Sequence, residues 1–195
     1  RIMREIIPQL AGVGGCNTEL KYAVLSFSSG CKWITSEPMI VEDNNSWKDL
    51  SANGITDLGM AFEELTSMLS RKKFLKSPSL SYAPVIFLMT DGYPTDNYKK
   101  GLEKLKNNNW YKYGMKIALG IGDYFDESVL EEFTENKELV VKAANSSQLA
   151  KLIKTIAVTS SQIASKSMTI VSDEENELDY EDVEGNKQKE MVKIV

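Results

Sequence analysis

Residues 84–92 of the 195-residue chain read PVIFLMTDG, and this stretch decides the fold. Residues 84–90 are apolar on both alternating faces, which a strand sustains only when helices cover both sides of a parallel sheet. Asp91 and Gly92 end the strand, and a helix is predicted from about Asn97 to Lys106. The stretch therefore predicts a core strand of an α/β sheet.

The segments on either side alternate between strand and helix patterns. Strands are predicted at 20–27, 32–40, 115–121 and 138–143, the first two joined by a short turn at 28–30. Helices are predicted at 2–10, 58–69, after Asp126 and at 145–163. The alternation predicts an open, mostly parallel, Rossmann-like α/β sheet with helices on both faces, whose functional sites form beyond the carboxyl ends of the strands.

Composition excludes several classes of function. The chain has no histidine, so imidazole cannot serve as base, proton shuttle or zinc ligand. Cys16 and Cys31 are isolated, which favours two reduced thiols in a cytoplasmic protein. No apolar run approaches the ~20 residues that a membrane-spanning helix needs. The basic residues lack interleaved aromatics, so neither a membrane nor a nucleic acid is predicted as a partner.

Charge divides the chain into two parts. The net charge is -5, and residues 172–184 hold eight acidic residues and no basic one. We therefore predict a domain at 1–168 and an acidic, flexible tail at 169–195. A sharper hypothesis is that a carboxylate of the tail reaches the functional site and blocks partners.

Two residues with oxygen-bearing side chains lie where a functional site of such a sheet is expected. Thr56 precedes the helix at 58–69, and Asp91 directly follows the core strand. A hydroxyl and a carboxylate suit Mg²⁺ or Mn²⁺, which prefer oxygen ligands and keep several waters. Thr56 or Asp57 also fits an N-cap, and for Asp96 and Asp123 we favour a turn or cap role.

Three segments together resemble von Willebrand factor type A (VWA) domains. GITDLG at 54–59 is similar to the family's second metal loop, LMTDGYP at 88–94 to its third, and IALGIG at 117–122 to its next strand. The resemblance covers about 2–164 and implies a metal-ion-dependent adhesion site (MIDAS) that includes Thr56 and Asp91. Within the family, the sequence as a whole most resembles bacterial VWA proteins of the tellurium-resistance type, which are intracellular and associated with protein kinases and phosphatases.

The family's first metal loop, D-x-S-x-S, has no counterpart in the sequence. It follows a central strand that precedes the first helix, and residues 26–29 offer serines without the aspartate. We expect the natural protein to carry an upstream apolar strand ending in D-x-S-x-S. The alternatives are that a partner chain, or residues 191–195 (MVKIV) folding back, fills the central position; for 191–195 we favour a ragged terminus.

The resemblance implies a non-enzymatic protein-binding module. A Mg²⁺ or Mn²⁺ ion would bridge to an aspartate or glutamate of a protein partner, with selectivity from the loops at 93–98 and 33–47. One alternative is a phosphoryl-transfer enzyme or phosphoacceptor using Asp91, which needs a positioned lysine and a second acidic pair nearby. Another is a scaffold with a vestigial metal site.

Overall fold

The computed structural model describes residues 18–41, 54–76, 80–143, 148 and 189–194. The helices predicted at 2–10 and 145–163 lie outside the described residues, apart from residue 148, and so does the acidic run. The described strands are β1 Thr18–Ala23, β2 Leu25–Ser28, β3 Gly30–Trp33, β4 Met39–Ile40, β5 Leu80–Thr90, β6 Met115–Ile121, β7 Val140–Ala143 and β8 Lys189–Ile194. The described helices are α1 Leu58–Met68, α2 Tyr98–Lys106, α3 Asn109–Tyr113 and α4 Glu127–Thr134, with a 3-10 turn at Lys137–Leu139.

A six-stranded sheet of order β4-β1-β8-β5-β6-β7 forms the centre of the described structure. Within it β1, β8, β5, β6 and β7 run parallel, and β4 pairs antiparallel with β1. The predicted core strand is therefore central, and the apolar residues of β5 from Val85 to Leu88 are buried. The expectation of a mostly parallel, Rossmann-like α/β fold is confirmed.

The predicted hairpin is divided into two pairings. Its base joins the main sheet, where Lys21 pairs with Ile40, and its outer half forms a separate ribbon in which Leu25 pairs with Trp33. The division falls at Val24, whose N–H donates to the Thr35 hydroxyl at 3.0 Å instead of to a neighbouring strand. A side-chain acceptor thus interrupts the ladder and allows the outer half to leave the plane of the sheet.

The central position of the sheet is filled by β8. Residues 189–194 pair in parallel with β1 over their whole length, from Thr18 opposite Lys189 to Ala23 opposite Ile194. On the other side, Ile194 lies opposite Ile86 of β5. Our preference for a ragged terminus at 191–195 is wrong for residues 191–194, and the alternative in which this segment folds back is the arrangement observed.

The helices of the central region pack against one buried cluster. It includes α1, α2 and α4 side chains with β5 and β6, among them Phe62, Leu102, Leu105, Leu130, Phe133, Ile86 and Ala118. The rings of Phe62 and Phe133 stack with centroids 5.6 Å apart, which joins α1 to α4. This packing fixes the N-terminus of α1 and the loop after β5 at the same edge of the sheet.

Among the helices that the structure describes, none has both the length and the apolar character needed to cross a bilayer.

Candidate metal site

Thr56 and Asp91 lie on two loops that meet at the carboxyl edge of the parallel sheet. The Thr56 hydroxyl oxygen lies 2.9 Å from the position that a Cβ atom on Gly92 would take, and Gly92 directly follows Asp91. A side chain at position 92 would collide with this hydroxyl, so glycine permits the close approach. The structure therefore brings the two predicted ligand loops together.

The turn after Asp91 is organised by a residue that sequence reasoning did not select. The buried Thr90 side chain accepts a hydrogen bond from the Gly92 N–H and donates one to the Gly92 carbonyl, both at 3.2 Å. The Asp91 carboxylate is exposed beside this turn. A threonine before an aspartate-glycine pair is a turn signal that could have identified Thr90.

Thr95 joins the loop after β5 to the loop before α1. Its hydroxyl accepts a hydrogen bond from the Thr56 N–H at 3.0 Å and lies 3.3 Å from a carboxylate oxygen of Asp57, to which it donates. Its own N–H donates to the Thr56 carbonyl at 2.9 Å. Both backbone groups of Thr56 are thus held by one residue, and within the described residues the hydrogen bonds of Thr56 are made by its backbone and not by its hydroxyl.

Asp96 caps α1 from the neighbouring loop. Its two carboxylate oxygens accept hydrogen bonds from the N–H groups of Gly59 at 2.9 Å and Met60 at 3.0 Å. These are the donors that an N-cap side chain normally satisfies. Asp57 occupies the N-cap position, as one of the two predicted residues, but its side chain makes no cap hydrogen bond. For Asp96, the favoured cap role is confirmed, but the helix that it caps is α1 and not α2, which follows Asp96 in the sequence.

Asp57 instead attaches the hairpin to the site. Its carboxylate accepts a hydrogen bond from the Gly30 N–H at 2.7 Å, and its own N–H donates to the Ser28 carbonyl at 2.9 Å. Gly30 has φ +85°, a backbone conformation that glycine adopts without strain. The tip of the β2–β3 hairpin therefore forms one wall beside the loop that carries Thr56.

The pKa of the Cys31 thiol, next to this tip, is raised. The largest cause is burial, and the carboxylates of Glu64, Asp57 and Asp96 add to it. Because the thiolate is the form that binds metals, the environment disfavours Cys31 as a metal ligand. Oxygen donors remain the relevant chemistry at this edge of the sheet.

The donor set fits a small hard cation held in part by water. Thr56 offers a hydroxyl and Asp91 a carboxylate, whereas the carboxylates of Asp57 and Asp96 are engaged with backbone N–H groups. In the part of the chain that the structure describes, no group of three or more cysteine and acidic side chains could hold a metal. These residues suit Mg²⁺ or Mn²⁺, which bind through one or two carboxylates plus water, rather than a closed protein cage.

Lys99, on the helix that follows Asp91 in the sequence, pairs with a residue of another helix. The ammonium group of Lys99 lies 4.0 Å from a carboxylate oxygen of Glu132, on the side of α2 that faces α4. Asp123 is exposed and lies in a bend of the chain directly after β6, which agrees with the favoured turn role.

Comparison with solved structures identifies the fold, whereas comparison with protein-family models and curated proteins identifies no family. No protein-family model matches the chain, and no curated protein matches it significantly. A von Willebrand factor type A protein from Catenulispora acidiphila superposes with a TM-score of 0.59 at 13% identity, over 82% of this chain and 38% of that one. Proximal thread matrix protein 1 from the mussel byssus, with a zinc-occupied MIDAS motif, superposes with a TM-score of 0.57 at 22% identity, over 80% and 41%.

A third solved structure superposes over a similar share of the chain. The ArnB paralog VWA2 from Sulfolobus acidocaldarius superposes with a TM-score of 0.53 at 14% identity, over 78% of this chain and 39% of that one. The present chain spans less than half the length of these solved chains. The described structure, with Thr56 and Asp91 at the carboxyl edge of its parallel sheet, has the fold of von Willebrand factor type A domains.

Proposed function

We propose that the chain is a non-enzymatic protein-binding module whose Thr56 and Asp91 hold Mg²⁺ or Mn²⁺. The observation that carries the proposal is the approach of the Thr56 hydroxyl to Gly92, the residue that directly follows Asp91. When bound, the cation supplies an open coordination position for an aspartate or glutamate carboxylate of a protein partner. The resemblance of 54–59 and 88–94 to metal loops supports this assignment.

A cation at this site would attract a carboxylate of a partner because few anionic groups of the chain are free to bind the cation. Of the acidic residues on the two loops, Asp57 and Asp96 already accept backbone hydrogen bonds, which leaves the exposed Asp91 carboxylate. One carboxylate does not neutralise a divalent ion, so a carboxylate from a partner gains a charge-assisted interaction that water cannot match. The protein's own residues position the ion, and the partner completes its coordination.

The finer parts of the proposal concern the biological setting. By its resemblance to bacterial tellurium-resistance VWA proteins, the chain is proposed to act in the cytoplasm within a stress-response or signalling complex. A protein kinase or phosphatase is the proposed partner. The loop 93–98, which carries the exposed Tyr93 next to Gly92, would contribute to selectivity.

Calorimetric titration of the chain with Mg²⁺ and Mn²⁺ tests the proposal. We expect binding that is lost in Thr56→Ala and Asp91→Ala and kept in Asp123→Ala, a control that removes an exposed aspartate from the loop after the neighbouring strand β6. Adding glutamate to the Mn²⁺-loaded chain should displace metal-bound water and lower the proton relaxation rate of the solvent. Equal affinity in Asp91→Ala and Asp123→Ala would refute the site, and phosphate incorporation lost in Asp91→Asn would replace the proposal by an enzymatic one.

A further inference from the structure

Among the described residues, five hydrogen bonds connect the two candidate ligand loops through Thr95 or Asp96, and four of them involve a backbone group of the segment that carries Thr56. Thr95 bonds to the N–H and the carbonyl of Thr56 at 3.0 and 2.9 Å. Asp96 accepts from the N–H groups of Gly59 and Met60 at 2.9 and 3.0 Å. We call these four bonds the loop bridge. They lie between two segments that are 36 to 39 residues apart in the sequence.

The loop bridge joins the two segments that carry the proposed ligands. Asp91 and Thr95 belong to one short loop, and Thr56 lies directly before the N-cap of α1. A Cβ on Gly59 would come within 2.9 Å of an Asp96 carboxylate oxygen and 2.8 Å of the Asn97 carbonyl oxygen. The start of α1 is thus in direct contact with the loop after β5, and loosening this contact would leave the Thr56 hydroxyl free to move away from Gly92.

Asp96 itself is not a free ligand. Each of its carboxylate oxygens faces a backbone N–H at the positive end of α1, where a negative charge is stabilised. The Thr95 hydroxyl is likewise used twice, as acceptor from Thr56 and as donor to Asp57. Both side chains therefore act on the site through other residues.

We propose that Thr95 and Asp96 are positioning residues of the cation site, because their loop bridge holds the Thr56 hydroxyl beside Asp91 in a ligand-ready geometry. The inference rests on the proposed function and adds to it a second set of residues on which metal affinity depends. Outer groups that orient metal ligands typically contribute about 10- to 100-fold in affinity. We expect a loss of this size when the loop bridge is broken.

Thr95→Val and Thr95→Ser form the main comparison. Valine keeps the shape and the neutral charge but removes the hydroxyl, whereas serine keeps the hydroxyl. The matched control is Thr66→Val, which removes a threonine hydroxyl that bonds to the Phe62 carbonyl in the middle of α1. Asp96→Ala is paired with Asp126→Ala, which removes the carboxylate that caps α4.

Two quantities are measured for each variant: the dissociation constant for Mn²⁺ and the hydrogen-exchange rates of the amides at 54–60. We expect Thr95→Val and Asp96→Ala to weaken Mn²⁺ binding about 10-fold or more and to accelerate exchange at 54–60. Thr95→Ser should restore both values, and Thr66→Val and Asp126→Ala should leave both near the wild-type values.

The two readouts separate the possible failures. If Mn²⁺ binds the wild type and Thr95→Val with equal affinity, the positioning role is refuted and the proposed function stands. If the wild type binds no Mn²⁺, the proposed function fails, and the positioning role for a cation fails with it even where exchange at 54–60 accelerates. Weaker binding in Thr66→Val to the same degree as in Thr95→Val would also overturn the inference, because general destabilisation would then explain it.

Discussion

The backbones of Gly59 in α1 and Gly101 in α2 are in direct contact. A Cβ atom on Gly101 would lie 3.0 Å from both the Cα and the carbonyl carbon of Gly59, and still closer to its carbonyl oxygen. The two helices therefore cross at a pair of residues without side chains. This crossing brings the start of α1 against the loop after β5, where Asp96 reaches the Gly59 N–H.

Gly101→Ala should separate the two helices. Alanine favours a helix over glycine by up to ~1 kcal/mol, but the added methyl group meets the Gly59 backbone, which cannot rotate away. Overpacking of this kind costs about 1–3 kcal/mol, so we expect a net loss in the free energy of unfolding, measured by urea denaturation. Lys100→Ala, at the exposed neighbouring position, is the control. Higher stability in Gly101→Ala than in Lys100→Ala would contradict the close crossing.

Asn108→Ala should loosen the end of α1 from α3. The Asn108 side-chain oxygen accepts hydrogen bonds from the N–H groups of Trp110 and Tyr111 at 2.9 and 3.3 Å. Its amide group donates to the Leu69 carbonyl at 3.0 Å. Loss of a cap that also bridges two elements should lower the free energy of unfolding by about 1–2 kcal/mol. The exposed Asn107 provides the control, and an equal effect of Asn107→Ala would remove the proposed cap and bridge.

Met191→Pro tests the central position of β8. Met191 pairs with Leu20 of β1 and with Tyr82 of β5, so the strand has a neighbour on each side. Proline removes an N–H donor from the ladder, and an unsatisfied buried backbone group costs about 1–3 kcal/mol. We expect a lower midpoint of urea unfolding than in Asn176→Pro, which carries the same substitution outside the strand. Identical midpoints would mean that residues 189–194 do not occupy the sheet.

Alkaline pH should destabilise the protein through Tyr111. Burial raises the pKa of this phenol well above its usual value of about 10, and the charge of Glu135 adds to the shift. Above about pH 10 the unfolded chain loses this proton while the folded chain keeps it, so stability falls by up to ~1.4 kcal/mol per pH unit from this group. Stability is unaffected by the group below that range.

The variant Tyr111→Phe isolates this contribution. It also removes the hydrogen bond that Tyr111 donates to the Phe133 carbonyl, so its stability at neutral pH should be lower. Its fall in stability between pH 10 and pH 11, measured by urea denaturation, should be shallower than that of the wild type. Tyr113→Phe changes an exposed tyrosine of the same helix and should keep the wild-type slope. A wild-type slope in Tyr111→Phe would contradict the assignment.

Elements with strong local signals were predictable from the sequence. The residues of β6, Met115–Ile121, are apolar apart from Lys116 and Gly120, and the strand lies between Gly114 and Gly122, so the apolar run and the glycines at its ends predict the same boundaries. Asp126 caps α4 as expected, with its carboxylate accepting from the Ser128 N–H at 3.0 Å. The two candidate ligand loops were predicted for the same reason, since each carries a glycine and a polar residue next to a clear helix or strand.

Features that depend on distant residues were not predictable. The alternation in β8 is short, and nothing local indicates that residues 189–194 pair with β1 and β5. The cap of α1 was assigned to Thr56 or Asp57 because both residues directly precede the helix in the sequence. The side chain that accepts the hydrogen bond from the Gly59 N–H belongs to Asp96, which lies 37 residues further along the chain. The five-residue helix α3 is too short to show a helical period. In each case the deciding partner lies far along the chain or the local signal is too weak.

Paramagnetic broadening by Mn²⁺ in a ¹⁵N-labelled sample tests the central claim most directly. At substoichiometric Mn²⁺, we predict that the amide signals of Thr56, Asp91 and Gly92 broaden first, and that an excess of Mg²⁺ restores them. Amides of α4 such as Ser128 should stay sharp. Broadening that instead centres on the acidic residues around α4, or that spreads evenly over the spectrum, would contradict a cation site at the meeting point of the two loops.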